Sequence, residues 1–404
     1  MSMADDLHLD EQRPERMQLS IGPHHPATHG VLRVKLELEG ETVIEAQPET
    51  GFLHTGIEKT AEHLTWNQAT TVMDRMDYLA PISNNTGYVM AVEKLLGIED
   101  RIPEKARVAR VILLELNRIA SHLIGLGTGG LDYGNIGTPI FWAFELRDHI
   151  LDIFEHTTGQ RMNPSYMRVG GLAYDLPHNF KEMVEDFLKL APGRVQELKD
   201  VMLYNPIFMD RAKGVSVITY EQALQYGLTG RNLRVTGSDY DVRKYYPYLG
   251  YENYDFKVPV YTDGDSWSRV AITFDEIFES LKIIRQALDN LPWDDRYIID
   301  DRKLVLPPKQ EVKHSMEALI HHFKLVHHGF DVPAGEVYQA IESPRGEIGF
   351  YVVSDGGNKP MRVRVRPPSF YAVYSLPVLL RGYMLADVVG AIATIDPIFG
   401  EVDR

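Results

Sequence analysis

EKARVARVILLELNRIASHLIGLGTGGLDYGNIGTPIFWAFELRDHILDIFEHTT, residues 104–158, sets the architecture. Val108, Ile112, Leu116, Ile119 and Leu123 recur at steps of three and four, which predicts an amphipathic helix over 104–125. At 1.5 Å per residue it runs about 33 Å. Gly125, Gly127, Gly129, Gly130 and Gly134 then crowd ten residues and predict a glycine-rich turn. Pro139 opens a second helical pattern that lasts to about Thr158. Two long helices joined by such a turn predict a central bundle.

Outward from this centre, residues 57–97, 178–192, 275–291 and 313–327 show helical spacing. Residues 206–272 are broken by Gly, Pro and Tyr and predict irregular structure. Val31 to Glu45 alternates apolar with charged residues and breaks at Gly40-Glu41, a half-buried hairpin. After Pro333 the pattern is of strands, at Glu336–Ile341, Gly346–Val353 and Met361–Arg366, with Arg362, Arg364 and Arg366 on one face. No fixed repeat occurs, so solenoids and propellers are excluded. The expected fold is α+β, a central long-helix bundle flanked by small antiparallel sheets. Its expected segments are a flexible tail at 1–18, an N-terminal β hairpin domain at 19–56, a helical bundle at 57–332 and a C-terminal β-rich segment and tail at 333–404.

Composition narrows the chemistry. The 404 residues include no cysteine, which removes thiolate-held clusters, nickel-thiolate centres, disulfides and cysteine nucleophiles. A net charge of -15 without a basic block argues against nucleic acid as a partner. The apolar run Val388–Ile395 is far short of the ~20 residues a membrane span needs. The acidic first seventeen residues lack the apolar core of a signal peptide and are expected to be a solvated tail in the cytoplasm.

Several short stretches hold reactive side chains. Gly22-Pro23-His24-His25-Pro26-Ala27-Thr28-His29-Gly30 contains an H-x-x-x-H spacing that would gather two imidazoles on a helix face. Pro26 pushes His25 out of the α region, so a histidine-bearing turn is the plainer expectation. Thr55 is placed to cap a helix start near His54, Glu58, Glu62 and His63. Arg75-Met76-Asp77-Tyr78 sets a cation, a carboxylate and a phenol close together. Asp132 falls in the expected glycine-rich turn.

Taken together, GPHHPATHGVLR (22–33), GFLHTGIEKTAEH (51–63), DRMDYLAP (74–81), ELNRIASHL (115–123), RGEIGFYVVSDGG (345–357) and DPIFGEVDR (396–404) resemble the 49-kDa, or D-type, subunit family of proton-translocating NADH-quinone oxidoreductase, respiratory complex I. The resemblance runs from about Leu19 to Arg404. That family is similar in fold to the large subunit of nickel-iron hydrogenases, whose metal is held by R-x-C-x-x-C and D-P-C-x-x-C segments. Here Asp77, Ala80, Ile398 and Glu401 stand where the thiolates would be, so a nickel-iron centre is excluded on ligand chemistry.

The resemblance implies that the old metal cavity became a chamber for the quinone head group, with the loop at 22–30 on its wall. His29 and Tyr78 match the family's hydrogen-bond donors to the quinone, and Asp132 the carboxylate paired with that histidine. A carboxylate behind the imidazole would favour its protonated form. Arg75 matches an arginine near the terminal iron-sulfur cluster of the B-type partner. Asn163 stands where many relatives carry a histidine linked to proton uptake at that cluster.

The implied substrate is ubiquinone or menaquinone, with no metal or cluster on this chain. Implied partners are the B-type iron-sulfur cluster subunit, the C-type and I-type subunits and the H-type membrane subunit. The implied location is the cytoplasmic face of the bacterial inner membrane, held peripherally. Two other classes compete: a non-catalytic scaffold of a related quinone- or ferredoxin-linked complex, and a metal-dependent hydrolase using His24, His25, His29, His54 and His63.

Overall fold

The computed structural model describes residues 16–134 and 138–404. The expected hairpin is there as β2 (Arg33–Glu39) and β3 (Thr42–Glu49), with Val34, Leu36 and Leu38 buried on one face. Gly40 takes the positive φ that the turn needs. A third strand, β1 (Arg16–Ile21), pairs antiparallel with β2, so Arg16, Met17 and Gln18 belong to the sheet and not to a tail. Residues 1–15 of the expected tail lie outside the described residues.

The helical pattern over 57–97 resolves into three helices, α1 (Ile57–Ala61), α2 (Trp66–Met73) and α3 (Pro81–Leu96). Gly56 in the left-handed region, and not Thr55, stands at the start of α1. The breaks leave residues 74–80 as a loop whose backbone is held by side chains, which is what makes this segment available for chemistry.

The largest departure concerns the glycine run. α4 (Glu104–Asp132) is 29 residues long and passes straight through Gly125, Gly127, Gly129 and Gly130, roughly 44 Å of helix. Glycine is a poor helix former by about 1 kcal/mol per residue, so tertiary contact must outweigh propensity. A Cβ on Gly127 would sit 3.2 Å from Ala143 Cβ, and one on Gly125 would sit 3.0 Å from an Asp396 carboxylate oxygen. The glycines serve close approach to α5 (Thr138–Thr158) and to the C-terminal segment. Asp132 is accordingly the last residue of α4 and not a turn residue.

After the two-residue strands β4 (Met167–Arg168) and β5 (Gly171–Leu172), α6 (Phe180–Leu203) continues through Pro192. Val195, Leu198 and Met202 beyond the proline keep the apolar face buried, which offsets the one lost internal hydrogen bond. The region expected to be irregular holds four short helices, α7 (Pro206–Ala212), α8 (Tyr220–Gln225), α9 (Arg231–Arg234) and α10 (Val242–Tyr245). α11 (Ser266–Asp289) begins earlier than its pattern suggests because Asp265 caps it, accepting from the Ser268 amide at 2.8 Å. α12 (Lys309–His314) and α13 (Met316–His327) follow.

β6 (Gly335–Ser343), β7 (Gly346–Ser354) and β8 (Arg362–Arg366) make the last antiparallel sheet. Arg362 and Arg364 reach Glu62 and Glu58 on and beside α1. Beyond β8 the segment expected to be β-rich is helical, as α14 (Pro368–Tyr374), α15 (Leu376–Leu380), α16 (Leu385–Ile395) and α17 (Phe399–Asp403). These helices bury their apolar faces on the first sheet in a core of their own, while α2 to α6, α11 and the last sheet share the larger core. The α+β architecture stands, with the first sheet packed on the C-terminal helices.

Candidate functional site

The loop at 22–30 is shaped by its prolines. His25 is extended, with φ -135° and ψ 135°, as a residue before proline should be. Its Nδ1 accepts from the Ala27 amide at 3.2 Å, and a single 3-10 turn spans Pro26–Thr28. His29 closes that turn at φ 55°, followed by Gly30 at φ 82°. The two histidines of the H-x-x-x-H spacing therefore do not share a helix face: His24 and His25 are exposed, and His29 is half-buried. The His29 ring meets Phe399 edge-on, with centroids 6.1 Å apart.

On the facing side, the loop between α2 and α3 buries Asp77 and leaves Tyr78 half-buried and Arg75 exposed. Asp77 accepts from the backbone amides of Leu79 and Ala80, both at 3.1 Å. Arg75 donates to the Thr71 carbonyl at 2.6 Å. Gly400 fits here only because it lacks a side chain, since its Cβ would lie 2.5 Å from the Met76 carbonyl, 2.6 Å from that of Arg75 and 3.3 Å from Tyr78 Cδ1. Phe399 against His29 and Gly400 against Tyr78 are consecutive residues. One turn of the C-terminal segment thus adjoins both expected donors.

Beneath that turn is a buried ion cluster. Arg345, from the β6–β7 turn, reaches Asp77 at 3.1 Å and Asp396 at 3.2 Å, and donates to Ser121 of α4. Arg231 of α9 holds Asp396 from the other side at 3.0 Å. Glu401 accepts from Ser369 at 2.6 Å, and burial and then the charge of Asp77 push its carboxyl up to about 8. Asp77 and Glu401, two of the positions matched to thiolates in the sequence, do come together, in a cluster with Asp396, Arg345 and Arg231. Arg345, Asp396 and Arg231 carry no individual signal in the sequence. Arg345 and Asp396 head two of the motifs quoted above, and Arg231 lies in the stretch expected to be irregular.

Burial dominates the titration of the site. It lowers His29 below the ordinary imidazole value although Asp396 acts in the opposite sense. The protonated form is therefore not the favoured one, contrary to the expectation from a neighbouring carboxylate. Burial, with help from Asp77, raises Tyr78. Asp132 is raised to about 6 by burial, against an opposing effect of His25. Asp396 is the carboxylate whose charge opposes the burial of His29, and His25 the imidazole whose charge opposes that of Asp132. Near Arg75, Asp74 is buried and raised to about 7 by burial, with Arg75 and Arg168 opposing weakly. Asn163 sits at φ 53°, a left-handed position that asparagine tolerates.

Of the other histidines, His54 lies 2.6 Å through Nδ1 from the Asp403 carbonyl, and His63 is exposed. Among the described residues no group of three or more His, Asp or Glu side chains could hold a metal ion. No described helix is long and apolar enough to cross a membrane.

Comparison with known proteins agrees with the fold and the motifs. A family described as respiratory-chain NADH dehydrogenase, 49 Kd subunit, matches residues 132–404. A D-type subunit of NADH-quinone oxidoreductase from Symbiobacterium thermophilum is 94% identical over 100% of both chains. Its counterpart from Roseiflexus sp. is 53% identical, covering 96% of this chain and 93% of its own. The counterpart from Deinococcus radiodurans is 51% identical over 96% of each. With a family match over most of its length and relatives this similar from end to end, the chain belongs to the 49-kDa subunit family of respiratory-chain NADH dehydrogenase.

Proposed function

We propose that this chain walls the quinone-reduction chamber of an NADH-quinone oxidoreductase, with His29 and Tyr78 as donors to the two quinone oxygens. The observation that carries the reading is the seating of His29 and Tyr78 on consecutive residues, Phe399 and Gly400, of one turn. Reduction to quinol takes two electrons and two protons. An imidazole with a lowered pKa and a phenol with a raised one both rest neutral, and each can donate one hydrogen bond to a quinone oxygen. As electrons make the quinone oxygens basic, Tyr78 passes its phenolic proton to one of them, and His29 passes its ring N–H proton to the other as its second nitrogen takes up a proton from outside the site. Tyr78 then carries a charge facing Asp77 and Asp396, whose repulsion is a local trigger for movement of the C-terminal turn.

In this reading the electrons come from the iron-sulfur cluster of the B-type partner, next to the exposed Arg75, whose fixed cation stabilises the reduced cluster. The C-type, I-type and H-type partners complete the surroundings, and the chain sits peripherally at the cytoplasmic face of the inner membrane. Asp132 supplies charge and protons to these donors.

Tyr78→Phe removes one hydroxyl. In the assembled complex, quinone reduction should fall on the order of 10²-fold, while NADH oxidation by an artificial acceptor and subunit content stay as in the wild type. Unchanged quinone reduction would overturn the assignment.

A further inference from the structure

We propose that a small polar cavity at the junction of α4, α11 and α16 binds one water molecule, and that this water holds Arg231 against Asp396 beneath the candidate site. Gly125, Gly129, Tyr133, Arg231, Thr273 and Thr394 line it, with room for the centre of a water-sized sphere over about 10 Å³. One water needs roughly that volume and two to four polar partners. Gly125 and Gly129 lie one turn apart on the same side of α4. A Cβ on Gly129 would find Ala393 Cβ as its nearest contact beyond its own helix, at 3.9 Å, so packing alone would admit alanine, the better helix former. What the missing side chain leaves is the cavity.

The lining supplies the partners. The Tyr133 hydroxyl and Arg231 Nε are buried and make no hydrogen bond among the described residues, a costly state for either donor. The Tyr133 ring stands edge-on to Phe208, centroids 4.9 Å apart, and would meet a Cβ on Gly390 at 2.6 Å, so its hydroxyl has no room to swing elsewhere. Arg231 is fixed at its tip, where Nη1 donates to Thr273 at 2.8 Å and Nη2 stands 3.0 Å from Asp396. Thr394 donates to the Ala391 carbonyl at 3.1 Å and lies 3.3 Å from the Ser266 hydroxyl, which leaves its oxygen one lone pair for a further donor. A water here accepts from Tyr133 and Arg231 and donates to Thr394. A cation would be repelled by Arg231 and by its neighbour Arg269, and an anion would find Arg231 already balanced by Asp396.

The test is a density map of the assembled complex at a resolution that shows ordered water, for the wild type and two variants. In the wild type a single peak is expected within hydrogen-bond reach of Tyr133 Oη and Arg231 Nε. Gly129→Ala should remove the peak and move Arg231 off Asp396. Gly129→Ser brings a hydroxyl that stands in for the water and should leave Arg231 in place. Quinone reduction, which rests on the function proposed above, should then fall about tenfold in Gly129→Ala, as for one lost buried hydrogen bond, and less in Gly129→Ser. Crowding alone predicts the reverse order, because serine is the larger residue. No peak in the wild type, Arg231 unmoved in Gly129→Ala, or serine disturbing Arg231 more than alanine overturns the inference. Peak and displacement as expected, with quinone reduction unchanged in both variants, would count against the proposed function instead.

Discussion

Asp74 shows how a single carboxyl couples this site to pH. It is buried beside Asn85, and burial moves it from the ordinary range to about 7. In the unfolded chain it ionises near 4, so the folded form keeps its proton longer. The resulting stabilisation is complete below about pH 4 and is lost as pH rises through 7. Asp74→Asn should abolish that loss. Between pH 4 and pH 8 the wild type should fall by on the order of 3 kcal/mol relative to the variant, read as two denaturation series. Parallel pH dependences would show that Asp74 is ionised throughout.

Among the elements, α4 and α17 depend on absent side chains. Gly400→Ala would force its Cβ against two backbone carbonyls that have no freedom to swing away. The start of α17 should lift from the 75–78 loop, with quinone reduction lost and the bulk of the helical signal retained in circular dichroism. Gly125→Ala meets only a carboxylate at 3.0 Å and should weaken the complex's activity less than Gly400→Ala does. The contrast explains what is legible in the sequence. Periodicity locates α4, α5 and the hairpins, because burial of one face leaves a pattern in the chain itself. It misjudges the glycine run, because a glycine that admits a neighbouring helix is indistinguishable, within one chain, from a glycine that makes a turn. The proposed donors His29 and Tyr78 are found through the motifs that carry the family resemblance. The charges around them are not, because Arg345 and Asp396 act only across large separations in sequence.

At the scale of the whole molecule, Arg345 ties together the β6–β7 turn, α4, the 74–80 loop and the C-terminal segment through Ser121, Asp77 and Asp396. Arg345→Ala would strand the buried Asp77 and leave Asp396 to Arg231 alone, and should cost about 3–5 kcal/mol in chemical denaturation; a loss below about 1 kcal/mol would mean the pairs are solvated. The same cluster has an electrostatic consequence. Asp77, Asp396 and Glu401 face Arg345 and Arg231, and burial raises both the Asp77 and the Glu401 carboxyl. In a poorly polarisable interior, two carboxyls this reluctant to ionise bind a proton when negative charge is added beside them. On the proposed reading, each electron can therefore stay only when a hydron accompanies it, and heavy water should slow the second reduction more than the first.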